Sequence, residues 1–305
     1  MDGYSDSNIN SAIFVDSITD YASWKKKRQL LASQLGQYLL DYNESQLSSI
    51  MTSWESELAR ISQIKTVKGN MMALLAFSIL HFFFRSYDHV KKNFPMVNAL
   101  TSSENRDVCQ AATTTLRYLA EENPDNYTFL RISLESVSSY LKSKTQSKGE
   151  NKSLYNGLLI LRQCGRFIPS DVFEITINTM PEIWSAICSP DRSLQKVAVK
   201  VINIHLLHVP SNTAESYAQS LAFDCFASLN SKKSSSYTGF ILTLKSIFLL
   251  FPKAADNQTL IKKLVNSLSF KTEEIPIETY KFLLLLANGD QSVLSNDQSL
   301  LIFRS

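Results

Sequence analysis

The sequence predicts an all-α protein built from stacked helix pairs. Three observations carry this prediction: apolar residues recur at helical spacing along most of the chain, glycine is scarce, and one helical pattern occurs twice. The chain has 305 residues, of which 44% are hydrophobic and only 8 are glycine. This length exceeds the roughly 100–200 residues of a usual domain, which favours two domains or one elongated array.

The repeated pattern is a helical hairpin with two prolines. In "MPEIWSAICSPDRSLQKVAVKVI", residues 180–202, Pro181 predicts a bend in the first helix, and Pro190 predicts the turn before the second. After this turn the stripe of a half-buried helix follows, at Leu194, Val197, Ala198, Val201 and His205. The same pattern occurs 86 residues earlier in the chain. There Pro95, Val108, Ala111, Ala112 and Leu116 correspond to Pro181, Leu194, Val197, Ala198 and Ile202. Two units of about 43 residues fit the HEAT and armadillo period, so we predict an α-solenoid of about six HEAT-like helix pairs.

Helical spacing assigns the other elements in chain order. A lone basic helix is predicted at 24–40, and it is followed by helix pairs at 45–62 with 67–84, 126–144 with 151–168, 214–229 with 236–251, and 257–270 with 275–288. Residues 1–20 are predicted to be a flexible N-terminal leader, and residues 21–305 the solenoid. Gly69, Gly157 and Gly239 each fall near the start of a second helix, which predicts a close approach of neighbouring helices there.

The C-terminal end of the array is predicted to be incomplete. Residues 292–305 resemble the start of one more helix, in which Leu300, Leu301, Ile302 and Phe303 are adjacent. A terminal repeat needs a polar outer face to stay soluble. We therefore expect this end to self-associate, or to be covered by a partner or by the remaining units of a longer solenoid.

No residue pattern indicates catalysis, a cofactor or a metal. The sequence has no glycine-rich phosphate loop and no C-x-x-C motif. His205 and His208 have a spacing that could reach one metal ion, but the leucines between them favour a packed helix face. The four cysteines lie inside apolar helical patterns, which is typical of buried thiols in a reducing compartment. We therefore predict a protein without enzymatic activity, in the cytoplasm or the nucleus.

Charge and hydropathy narrow the class of partner. The formal net charge is +3, which gives no strong attraction to nucleic acid. The longest apolar run, residues 71–84, is shorter than the roughly 20 residues of a membrane span, so none is expected. The strongest charge run is Lys25, Lys26, Lys27 and Arg28. It is either a solvated helix start or a surface that meets an acidic partner or a membrane, and these four are the candidate partner-binding residues.

Two segments resemble the N-terminal HEAT region of the target-of-rapamycin kinases, within the phosphatidylinositol-kinase-related family. "IKTVKGNMMALLAFSIL" is similar to a family helix that opens with Lys-Gly, and "SLYNGLLILRQC" is similar to a later His-Gly-Ala-Leu-Leu helix. The chain departs from the family at Asn156, where the family has His, and at Arg162 and Gln163, where it has an acidic pair. The resemblance implies a helical arm that docks regulatory subunits of a kinase.

Two functions follow as expectations. The first is a non-catalytic helical-repeat scaffold that presents helix faces and loops to protein partners. The alternative is a fragment of a full-length kinase of the target-of-rapamycin family in nutrient and growth signalling, whose catalytic residues lie outside this sequence.

Overall fold

The computed structural model describes residues 18–40, 42–142, 150–230, 237–252, 254, 281–282 and 284–285. Every regular element in this part of the chain is helical, which confirms the all-α fold class. The chain divides into two compact units, residues 1–168 and 169–305, a division that the sequence did not predict. The predicted leader, the helix pair at 257–288 and the C-terminal helix at 292–305 lie almost wholly outside the described residues, and so does the surface expected to self-associate.

The first unit consists of one lone helix followed by helix pairs. Its helices are α1 (Tyr21–Leu39), α2 (Glu44–Ile61), α3 (Val67–Phe84), α4 (Tyr87–Leu100), α5 (Arg106–Glu122), α6 (Tyr127–Glu135), α7 (Val137–Lys142) and α8 (Glu150–Cys164). Helix α2 pairs with α3, α4 with α5, and α6 and α7 together with α8. The second helices contact one another in the order α3, α5, α8, and α1 packs against both α3 and α5. The pairs within this unit therefore stack as HEAT repeats do.

The second unit contains α9 (Pro169–Asn178), α10 (Met180–Ile187), α11 (Arg192–His208), α12 (Ala214–Asn230) and α13 (Tyr237–Leu250). Helices α9 and α10 pack on α11, α12 packs on α13, and α11 contacts α13. Pro181 lies in the first turn of α10, where the missing amide costs no helical hydrogen bond. The chain is therefore interrupted at Thr179 rather than bent, whereas Pro95 lies inside the continuous helix α4.

The 86-residue repeat is present in the structure. Helices α5 and α11 begin 86 positions apart and have 17 residues each. The side chains of Asn105 and Asp191 cap them in the same way, since each accepts hydrogen bonds from the amides of the second and third helical residues. Ala112 and Ala198 are fully buried at equivalent positions. The turn and alanine spacing was thus sufficient to predict α5 and α11 in register, whereas Pro95 and Pro181 occupy different positions in their helices.

Helix α3 is the central element of the first unit. It contacts α1, α2, α4 and α5, and a helix enclosed on several sides is apolar all round. Among the described residues it alone is long and apolar enough to cross a membrane, with 18 residues and a mean hydropathy of 1.5. Within the protein, 61% of this helix is buried.

Two of the three second-helix glycines, Gly157 and Gly239, mark close approaches of neighbouring helices as predicted, whereas the prediction is wrong for Gly69. A β-carbon on Gly157 would lie 2.9 Å from Leu141 Cδ2 of α7, and one on Gly239 would collide with the carbonyl oxygen of Ile187 at the end of α10. At Gly69 the neighbour is Ile64 in the preceding loop, rather than another helix.

Candidate functional site

The basic run predicted to bind a partner lies on α1, and the helix divides it between two faces. Lys25 and Lys26 are exposed, Lys27 is half-buried, and Arg28 is buried. Arg28 follows Trp24 by four residues, so both point from α1 toward the protein. The exposed surface predicted from the sequence therefore consists of the lysines, and Arg28 belongs to an internal contact instead.

Directed polar contacts fix α1 to the helices beneath it. The indole Nε1 of Trp24 donates to the Met71 carbonyl at 3.1 Å, although the Trp24 side chain is fully buried. The Tyr21 hydroxyl lies 2.9 Å from Thr114 Oγ1, and the Tyr21 amide donates to Asp107 at 3.0 Å. Because these bonds reach both α3 and α5, they determine the position of α1 along its own axis.

Arg28 forms a buried ion pair with Glu122, the last residue of α5. The distance from Arg28 Nη2 to Glu122 Oε1 is 2.7 Å, and the two side chains are only 7% and 10% exposed. The guanidinium also stacks on Tyr118, 3.4 Å from the ring centroid. His81 Nε2 lies 3.3 Å from Glu122 Oε2. We call Arg28, Tyr118, Glu122 and His81 the ionic cluster.

Burial dominates the electrostatics of the ionic cluster. It raises the pKa of Glu122 to about 7, although the charge and hydrogen bond of Arg28 act in the opposite direction. Burial also lowers the pKa of His81 to about 4, so this imidazole is neutral at physiological pH. A neutral histidine gives the carboxylate little support, and Arg28 is therefore its main counter-charge. The cluster can hold a helix in place, and its enclosure on α1, α3 and α5 separates it from solvent.

His205, which the sequence placed on a packed helix face, is buried in the second unit with two hydrogen-bond partners. Its Nδ1 lies 2.6 Å from the Thr176 hydroxyl and its Nε2 lies 3.1 Å from the Tyr217 hydroxyl. Thr176 donates its own proton to the Phe173 carbonyl, so it accepts from Nδ1–H, and Tyr217 donates to Nε2. His208 lies on the surface, where Nδ1 contacts the Ile204 carbonyl. The part of the chain that the structure describes holds no group of three potential metal ligands.

A pH dependence follows from His205. Burial lowers its pKa from 6.5 to about 4, so the folded state binds this proton less well than the unfolded state does. The stability that the neutral ring contributes is present above pH 6.5 and is lost as the pH falls toward 4. We expect the difference in unfolding free energy between wild type and His205→Gln to shrink by about 2 kcal/mol from pH 7.5 to pH 5. Urea denaturation at both values measures it, and an unchanged difference would contradict the assignment.

The cysteine thiols are structural. Cys109, Cys164 and Cys225 are buried and Cys188 is half-buried, and none of these four described residues forms a disulfide bond. Burial raises the pKa of Cys109 to about 12 and raises the pKa of Cys188 and Cys225 as well. Since the thiolate is the reactive form, these side chains are poor nucleophiles at neutral pH.

A groove between α10 and α12 was missed at the sequence level. It has a volume of about 370 Å³ and is lined by Met180, Pro181, Trp184, Tyr217, Ser220, Leu221 and Asp224. The hydrogen bond from Tyr217 to His205 fixes one of its walls. The acidic character of the helices around the groove could have been recognised from the sequence. The helical segments 169–178, 180–187 and 214–230 contain carboxylates but neither lysine nor arginine.

Comparison with known proteins gives no functional name. No protein-family model matches the chain, and no curated protein matches it. Two engineered proteins with crystal structures from the Northeast Structural Genomics Consortium are similar at low TM-scores. The first has a TM-score of 0.43 and 14% identity, with 80% of this chain and 98% of that chain covered. The second has a TM-score of 0.40 and 14% identity, with 79% and 98% covered.

Proposed function

We propose that this chain is a non-catalytic scaffold that binds a protein partner through the exposed lysines of α1. One observation carries the proposal: α1 is fixed by Trp24 and the buried Arg28, so that Lys25 and Lys26 project from a rigid helix. A surface that is ordered before binding loses less conformational entropy on association than a flexible tail does. The exposed lysines of α1 therefore form a pre-arranged surface for a partner with an acidic segment.

The chemistry of the surface favours a protein partner over nucleic acid. Lysines on one helical turn attract acidic side chains, and they increase the association rate more than the final affinity. The formal net charge of +3 for 305 residues is small compared with the strongly basic faces of nucleic-acid-binding domains.

The alternative proposal is that the chain is the N-terminal arm of a kinase related to the target-of-rapamycin family. It is supported by the position of the two similar segments, since "VKGNMM" opens α3 and "SLYNGLLILRQC" lies in α8, which are both second helices of pairs. An immunoblot of the native protein with an antibody against α12 tests it. A band of several hundred kilodaltons supports the kinase arm, and a band near 34.4 kDa contradicts it.

The scaffold proposal is tested by charge reversal on α1. We expect Lys25→Glu with Lys26→Glu to abolish capture of a partner that the wild-type chain retains, as quantified by mass spectrometry after affinity purification. The matched control is Lys91→Glu with Lys196→Glu, which makes the same change in net charge at exposed positions of α4 and α11. Circular dichroism confirms that both variants fold. Equal capture by the wild type and both variants would overturn the proposal.

A further inference from the structure

The first helices of the pairs in the second unit form an acidic side. Helices α9, α10 and α12 carry the carboxylates Asp171, Glu174, Glu182, Glu215 and Asp224 and contain no lysine or arginine. The second helices of the same unit carry the basic residues Arg192, Lys196, Lys200 and Lys245. In the described helices charge is thus separated by helix layer, and carboxylates gathered on one layer attract basic partners over several ångströms.

The α10–α12 groove lies on this acidic side and has aromatic walls. Trp184 and Tyr217 are half-buried, and each presents part of its ring to a space of about 370 Å³. Asp224 is the charged residue among those that line the groove in the described part of the chain. An aromatic face attracts a cation through its quadrupole, and a carboxylate beside it adds direct charge pairing.

Contacts with buried residues hold Trp184 and Tyr217, the two aromatic walls of the groove, in place. The Tyr217 hydroxyl donates to the buried ring of His205, and Trp184 packs on Phe240 of α13 with ring centroids 5.7 Å apart. His205 in turn stacks on Phe173, with ring centroids 4.7 Å apart. A pre-formed pair of rings binds a ligand without the entropy cost of ordering it.

Exposed apolar side chains on the helices of the acidic side suit a polypeptide better than a small cation. Phe223 on α12 is 69% exposed and Ile177 on α9 is 54% exposed, so large apolar side chains accompany the carboxylates on these helices. A free organic cation would engage only the ring faces and Asp224. A peptide could also cover the apolar side chains, and burial of apolar area would add to its affinity.

We propose that the α10–α12 groove binds a basic segment of a partner protein, with an arginine or lysine side chain over Trp184 and Tyr217 and paired with Asp224. This site shares no residue with the lysine surface of α1. Its failure and the failure of the scaffold proposal are therefore separate results.

Tryptophan fluorescence provides a direct test on the full chain. The chain has 3 tryptophans, of which Trp24 and Trp54 are buried, so Trp184 is the one that acrylamide reaches most readily. We expect a hexa-arginine peptide to protect Trp184 from acrylamide quenching, and a hexa-glutamate peptide to leave the quenching unchanged. Binding of fluorescein-labelled hexa-arginine without this protection would overturn the proposal.

Matched variants locate the bound cation. Asp224→Asn should weaken hexa-arginine binding by about threefold to fivefold, and Trp184→Leu by about tenfold. Glu174→Gln removes one exposed carboxylate from α9 outside the groove, and we expect it to change the affinity less than twofold. If Asp224→Asn and Glu174→Gln reduced the affinity for hexa-arginine equally, the peptide would be attracted by overall negative charge rather than bound in the groove. That result would overturn the proposal.

Further measurements would identify either of two other occupants of the groove, a free organic cation or a second copy of this chain. Choline that protects Trp184 at the same concentration as hexa-arginine would assign the groove to a free organic cation. Self-association in analytical ultracentrifugation that both Asp224→Asn and Lys25→Glu with Lys26→Glu abolish would assign it to a second copy of this chain. Either result contradicts a basic partner segment.

Discussion

Arg28→Met is expected to lower the unfolding free energy of the first unit by about 3–5 kcal/mol at pH 8, where Glu122 is ionised in the wild type, because the substitution leaves this buried carboxylate without its main counter-charge. The ion pair of 2.7 Å and the stacking on Tyr118 both disappear, His81 is neutral, and the charge of Arg85 acts on Glu122 more weakly than that of Arg28. The effect follows from the orphaned charge rather than from the strength of the pair. Replacing both partners, in Arg28→Met with Glu122→Leu, should therefore recover most of the loss.

The unfolding free energy lost in Arg28→Met should depend on pH, because Glu122 changes its protonation state with pH. The folded-state pKa of Glu122 is raised from 4.5 to about 7, so binding of its proton favours the folded state between these values. Without the guanidinium this pKa should rise further. Near pH 5 the carboxyl is then protonated and uncharged, whereas near pH 8 it either loses its proton without a main counter-charge or keeps it against the pH of the solvent. We expect the variant to be less impaired at pH 5, by about 1 kcal/mol or more.

Denaturation of the first unit can be followed by its own tryptophans. In a Trp184→Phe background the fluorescence comes from Trp24 and Trp54, which both lie in residues 1–168. Lys26→Met is the matched control, since it removes an exposed charge from the same helix and should change stability by less than about 0.5 kcal/mol. If Arg28→Met cost no more than Lys26→Met, the ion pair would have no structural role.

The position of Arg28 shows where sequence analysis stops. Trp24, Arg28 and Leu31 follow one another at intervals of four and three residues, so helical periodicity alone places Arg28 on the buried stripe of α1. Taken as one block of charge, however, the run groups Arg28 with the lysines. The ion-pair partner of Arg28 could not be predicted from the sequence, because Glu122 is 94 residues away and meets Arg28 only through the packing of α1 on α5.

Helices and their ends were predicted from the sequence more completely than the sites that form between helices. Helix α3 has the bounds expected from its sequence, and α5 and α11 begin after capping residues that are recognisable as Asn105 and Asp191. These features depend on residues a few positions apart. The predicted helix at 126–144 is instead two helices broken at Ser136, and the α10–α12 groove joins residues about 40 positions apart.

Gly239→Ala is expected to destabilise the second unit by about 1–3 kcal/mol or more, although alanine is the better helix former. The new methyl group would collide with the Ile187 carbonyl oxygen and lie 3.0 Å from the Ile187 carbonyl carbon. These are backbone atoms at the end of α10, so no rotamer change can make room. Either α13 or α10 must move, and the packing of both is disturbed.

A second glycine separates this steric effect from helix propensity. Gly36→Ala in α1 adds a methyl group 3.7 Å from Phe83 Cε1, which is an ordinary contact. Alanine in a helix interior is favoured over glycine by up to about 1 kcal/mol, so this variant should be neutral or more stable. Hydrogen exchange measured by mass spectrometry should show faster exchange in α10 and α13 for Gly239→Ala, and unchanged exchange there for Gly36→Ala. Stabilisation by both substitutions would mean that α13 does not approach α10 closely at Gly239, and the packing of the second unit would have to be revised.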